Sequence, residues 1–263
     1  MPDAQAHEPL HPGFGVPLGR LLRHRGLTAG TLASRAGSEP AEITALLAGG
    51  TPDAGLLRHL AAALGYHAVD LFVLAGAPVP EDLAPLDAEA HNGVRQMIYD
   101  VAMRLPADDR RELLLAARSL PQTERTAPFD PPWLPASMGN PGNWIIRMLR
   151  YRNLGPTGLM HFMALLTPTC LSASTYFMIG VERVALSSRR VADFALALDI
   201  DALELAAIAD IVLDESPPPP PQRVVDTREL LWEARRLSAG QTRQLAETAR
   251  AMAEDVPPGA PAG

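Results

Sequence analysis

All of the fixed positive charge on this 263-residue chain is guanidinium, because its 23 basic residues are arginines and lysine is absent. Arg20, Arg23, Arg25 and Arg35 gather near the start, and Arg147, Arg150, Arg152, Arg183, Arg189 and Arg190 form a second group. The chemistry open to such groups is anion capture, since the planar fork meets a phosphate or a carboxylate through two parallel hydrogen bonds. Two kinds of partner satisfy it: a nucleic-acid backbone, or Asp and Glu on neighbouring faces of the same protein. A GC-rich coding bias is the simpler account of arginine in place of lysine, and it does not separate from a choice of arginine for phosphate contacts. Net charge is −7, so the chain carries no general basic coat for nucleic acid, although a local basic face remains open.

Other chemistry is poorly represented. His24, His59, His67, His91 and His161 are scattered, and no His-x-x-x-His or Glu-x-x-His cluster falls on one helical face, so metal ligation is not expected. Glycine-rich phosphate loops and nucleophile elbows are missing. Cys170 is the single cysteine, which excludes a disulfide framework and reads as a buried structural thiol. Carboxylate pairs such as Asp108/Asp109 read as solvated helix N-termini. A non-enzymatic protein without metal or cofactor is expected. The opening residues show no basic segment followed by an apolar one, so a cytoplasmic setting is expected. Residues 153–181 lack formal charge over a length that could span a bilayer, but Pro156, Pro168, Gly155 and Gly158 read as two buried helices broken at 167–169 and no membrane span.

The elements that must hold these residues are helical. Apolar residues are 47% and aromatics only 5%, and the apolar spacing is three and four residues throughout, with no sustained alternation. The chain also repeats itself. Leu22, Arg23, Arg25, Leu27 and Leu32 recur 127 residues later as Leu149, Arg150, Arg152, Leu154 and Leu159. Ala61, Ala63, Leu64 and Leu71 recur 134 residues later as Ala195, Ala197, Leu198 and Leu205, and 104–120 recurs 132 residues later as 236–252. The reading is an all-α tandem duplication: a bundle at 13–78, a hairpin at 87–120, a Pro-rich linker at 121–142, a divergent bundle at 143–213, a polyproline spacer at 214–224, a hairpin at 225–254 and a tail at 255–263. Repeated amphipathic hairpins favour association, with another copy or with a protein partner.

Residues 17–75 resemble the helix-turn-helix domains of Xre and phage-repressor proteins. The resemblance rests on "LGRLLRHRGLTAGTLASRAG" followed by "ITALLAGGTPDAGLLRHLAAALG". Thr28 can cap the second helix, Ala33 is small where two helices meet, Gly37 suits a tight turn, and Leu57, Leu60 and Leu64 close the bundle. Residues 174–200 fit the same pattern more loosely, with Met160 in place of Ala33 and a longer turn in place of Gly37. The resemblance implies two repressor-like bundles and a transcriptional regulator that binds double-stranded DNA. Carried over residue by residue, the contacts would come from Arg20, Arg23, Arg25, Thr28, Arg35, Glu39, Glu42 and Thr44, and from Arg150, Arg152, Thr175, Tyr176 and Arg183. Glu39 and Glu42 make a poor reading face, because carboxylates repel phosphate. The alternative is an interaction or oligomerisation module whose repressor-like domains no longer bind DNA.

Overall fold

The computed structural model describes residues 13–129, 134, 139–213 and 215–256, and among these there are helices and no strand. The expected tail beyond 256 and parts of the expected linker lie outside the described residues. Five helices come first: α1 (Gly15–Arg25), α2 (Ala29–Ala36), α3 (Pro40–Leu47), α4 (Ala54–Leu64) and α5 (Ala68–Leu74). A hairpin of α6 (His91–Met103) and α7 (Ala107–Ser119) follows. The order then repeats as α8 (Pro141–Arg150), α9 (Pro156–Leu166), α10 (Ala173–Gly180), α11 (Ser188–Leu198) and α12 (Ala202–Ala209), with a second hairpin of α13 (Gln222–Ala234) and α14 (Ala239–Asp255).

Local chemistry sets these bounds. Side chains of Thr28, Asp53, Ser172, Ser187, Asp201 and Ser238 accept backbone N–H bonds at the starts of α2, α4, α10, α11, α12 and α14. Pro221 directly precedes α13, where the N–H it lacks would go unused. Four helix ends keep their left-handed backbone from one half to the other, while α2 ends at left-handed Gly37 and α9 at extended Thr167. Gly26, Gly49, Gly65 and Gly76 have φ of 62°, 99°, 73° and 65°, and their counterparts Asn153, Glu182, Asp199 and Asp210 have φ of 60°, 57°, 61° and 60°. The left-handed turn has outlasted the glycine that makes it easy.

The helix crossings repeat too. The backbone of α1 passes so close to α3 that a Cβ on Gly15 would lie 2.2 Å from the carbonyl oxygen of Leu46. In the second half a Cβ on Gly142 would lie 2.3 Å from the carbonyl oxygen of Ile179. Within the first bundle α3 packs on α1 and α2, and α4 on α2 and α5; the second repeats this with α10 on α8 and α9, and α11 on α9 and α12.

The two halves then embrace. α1 lies on α12 while α8 lies on α5, and α6 lies along α14 while α13 lies along α7. Exchanging the halves turns each contact into the other, which is the signature of an isologous two-fold interface, here enclosed in one chain. One continuous apolar core runs through all four modules. The symmetry fails where α9 also packs on α6, since α2 makes no comparable contact with α13. α9 is longer than α2, and Met160 is half-buried where Ala33 is fully buried.

Candidate nucleic-acid interface

The duplicated arginines show what the repeat preserves. Arg25 grips Glu204 with both prongs, Nε to Oε1 at 2.6 Å and Nη2 to Oε2 at 2.7 Å. Its counterpart Arg152 grips Asp70 with Nη1 and Nη2, the second at 2.8 Å. Glu204 and Asp70 are themselves counterparts, so one bidentate lock is made twice, once from each half onto the other. The two settings differ. Arg152 and Asp70 are 3% and 1% exposed, and Arg152 also donates to the carbonyls of Met148 and Leu198 at 3.1 and 2.9 Å. Arg25 and Glu204 are 22% and 15% exposed, and the Tyr66 hydroxyl donates to Glu204 at 2.6 Å. Burial raises the Glu204 carboxyl, but the bonds from Arg25 and Tyr66 outweigh it and hold it below its ordinary value.

Several residues expected to touch DNA are thereby withdrawn. Arg20 donates to Asp210 at 2.7 Å and to the Ile208 carbonyl at 3.4 Å, joining Arg25 on α12. Arg150 bonds the Leu154 carbonyl, and burial pulls its guanidinium down to about 10. Tyr176 is fully buried, edge-on to the Phe194 ring with centroids 6.1 Å apart. Tyr176 and Arg152 are buried, which corrects the expectation that they face a duplex, while Arg20, Arg25 and Arg150 are engaged by groups of the protein itself. The physical reason is that the second half needs them for its own core and for the junction.

The remaining expected residues are accessible. Arg23 and Arg35 are exposed, and no ion pair engages them among the described residues. Thr28 is exposed and its hydroxyl accepts from the Thr31 N–H at 3.1 Å. Gly37 turns the chain from α2 to α3 with φ 64°. At the start of α3 Glu39 and Glu42 form a capping box, Glu42 accepting from the Glu39 N–H at 3.0 Å, while the Thr44 hydroxyl donates to the Pro40 carbonyl at 2.9 Å. Two carboxylates thus occupy the positive end of α3, where a phosphate would otherwise settle. In the second half Thr175 is half-buried, its hydroxyl 2.8 Å from that of Ser172, and Arg183 is exposed.

Sequence reasoning missed a knot where three modules meet. His67, beside α5, stacks on Trp232 of α13 at 3.5 Å between ring centroids. Arg235 lies 3.8 Å from the same ring on α13, and Arg152 lies 5.2 Å from it. Burial, then the charges of Arg152 and Arg235, pull His67 down to about 3, so it is neutral. The available signal was the second recurrence: Asp70 and Glu204 stand in repeated positions just as the two arginines do. Cys170 is exposed, which corrects its reading as a buried thiol. Among the described residues no group of three His, Cys, Asp or Glu side chains could hold a metal ion, and no helix is long and apolar enough to cross a membrane. Compared with known proteins, the chain matches no family model, no curated protein and no solved structure.

Proposed function

We propose that this chain is a DNA-binding regulator of the helix-turn-helix Xre type, acting in the cytoplasm, in which only the first half touches the duplex. The observation that carries this reading is the uncovered corner between α2 and α3. Its outer residues are in solvent, and the same half keeps Arg23 and Arg35 exposed and outside any ion pair among the described residues. Arg150, the counterpart of Arg23, is half-buried and bonds the Leu154 carbonyl, and α9, the counterpart of α2, is packed against α6. The second half then acts as a tethered dimer mate, and the chain engages one half-site where a repressor dimer engages two.

Fluorescence anisotropy against mixed-sequence duplexes at low salt tests the reading. Binding is expected, and Arg23→Ala/Arg35→Ala should flatten the salt dependence by about one unit of log–log slope per lost phosphate contact. Absence of duplex binding at low salt overturns it. A second reading, docking of a basic protein surface on α3, draws on Glu39 and Glu42 at its tip. It gains if the intact protein and its Glu39→Gln/Glu42→Gln variant both ignore DNA, since removing the carboxylates should raise affinity for any phosphate backbone that α3 approaches.

A further inference from the structure

Between α12 and α13 the chain runs as Ser216–Pro221 past α11 and the start of α12. Consecutive prolines make a stiff extended rod without backbone N–H groups. Among the described residues no hydrogen bond ties 216–220 to the helices beneath, and most of these residues are exposed. The rod runs beside these helices without bonding to them. It leaves a cleft of about 500 Å³ floored by Leu166, Leu196 and Ile200. That volume falls in the range of small-molecule sites, roughly 300–1,000 Å³.

The charge of the wall is uneven. Asp193, Asp199 and Asp201 line the cleft, and Arg228 is its one cation among the described residues. Arg228 is already engaged, by Asp199 and by the Leu196 carbonyl at 3.2 Å. Asp193 is half-buried and takes one bond, from the Thr169 hydroxyl. Asp201 caps α12 through Oδ1, at 2.9 Å from the Leu203 N–H and 3.1 Å from that of Glu204. Arg189 acts on Asp193 from outside the lining, and the lining itself carries two more carboxylates than cations beside its apolar floor, which favours a cation there.

We propose that this cleft is a binding site for a lipophilic cation, a small molecule whose apolar body slides between the proline rod and Leu196 and Ile200 while its cationic group meets Asp193 and Asp201. The rod connects the second bundle to α13, so a bound ligand fastens that hairpin to α11. The site does not depend on whether α3 meets DNA.

The test titrates the intact chain into rhodamine 6G, a fluorescent apolar cation, without DNA. Saturable polarisation is expected at micromolar protein, whereas anionic fluorescein stays free. Ala192→Trp, placed in the cleft wall, and Asp193→Asn/Asp201→Asn, which keeps a capping side chain at 201, should each weaken binding about tenfold or more. Thermal melts of both variants report whether the fold is intact, and the Asn pair carries the test if the tryptophan disturbs it. The proposal is overturned by the absence of saturation below about 100 µM, by equal binding of fluorescein, or by unchanged affinity in both folded variants. With no DNA in the cell, its failure is separate from any failure of the regulatory reading.

Discussion

Arg152 and Asp70 are buried at 3% and 1% exposure and pair directly with each other, and that fixes what their loss does. Arg152→Ala leaves a buried carboxylate and should cost about 3–5 kcal/mol in chemical denaturation, whereas Arg152→Leu/Asp70→Leu should recover most of it. Arg25→Ala, at the wetter copy of the same lock, should cost only about 1 kcal/mol. Equal losses at the two sites would contradict this account of the asymmetry. His67 supplies a pH signature. Its folded value of about 3 lies below the ordinary 6.5, so between those values the unfolded chain holds a proton that the folded chain refuses. Its share of stability is therefore full above 6.5 and is lost as pH falls toward 3. The melting temperature should drop over that window, and His67→Phe, which keeps a ring on Trp232, should flatten this part of the slope. Glu182 holds the left-handed turn that Gly49 holds in the first half; Glu182→Gly should raise stability by about 1 kcal/mol, read from the denaturation midpoint.

At the scale of elements, the glycines at the two repeated crossings decide how closely α1 and α8 approach their partners. Gly15→Ala and Gly142→Ala each push a methyl into a carbonyl oxygen, and each should cost about 1–3 kcal/mol by forcing the helices apart. Thermal melts of the two variants should fall together, because the geometry is the same on both sides; a neutral result at either would mean that the crossing yields freely. Helix positions were legible in the sequence. Thr28, Ser187 and the spacing of Leu57, Leu60 and Leu64 mark ends and faces through interactions only a few residues long. The break of 153–181 into α9 and α10 was legible for the same reason, since prolines and glycines act locally. The register of Tyr176 was not: Thr175 and Tyr176 looked equally exposable, and only Phe194, far along the chain, claims that ring.

At the scale of the whole molecule, the reciprocal contacts make the chain its own dimer. Neither hairpin is covered without the other, because α6 needs α14 and α7 needs α13. Expressed separately, residues 1–129 and 130–263 should each be poorly folded, and mixing should restore one 1:1 complex with native helicity. Stable folding of either half alone, seen by circular dichroism and sedimentation, would refute the shared core. The intact chain should sediment as a single copy, since its two-fold surface is already used.

The helical periodicity, the Thr28 cap and the recurrence of one half in the other were determined by the sequence alone, because each depends on neighbours within one or two turns or on direct comparison of one stretch with another. The use made of the arginines was decided by tertiary structure. Arg25 meets Glu204 across 179 residues and Arg152 meets Asp70 across 82. A guanidinium beside a helix end has the same local pattern whether it waits in solvent for a phosphate or closes on a carboxylate from the other half. Burial separates the two fates, and burial is a property of how the halves come together.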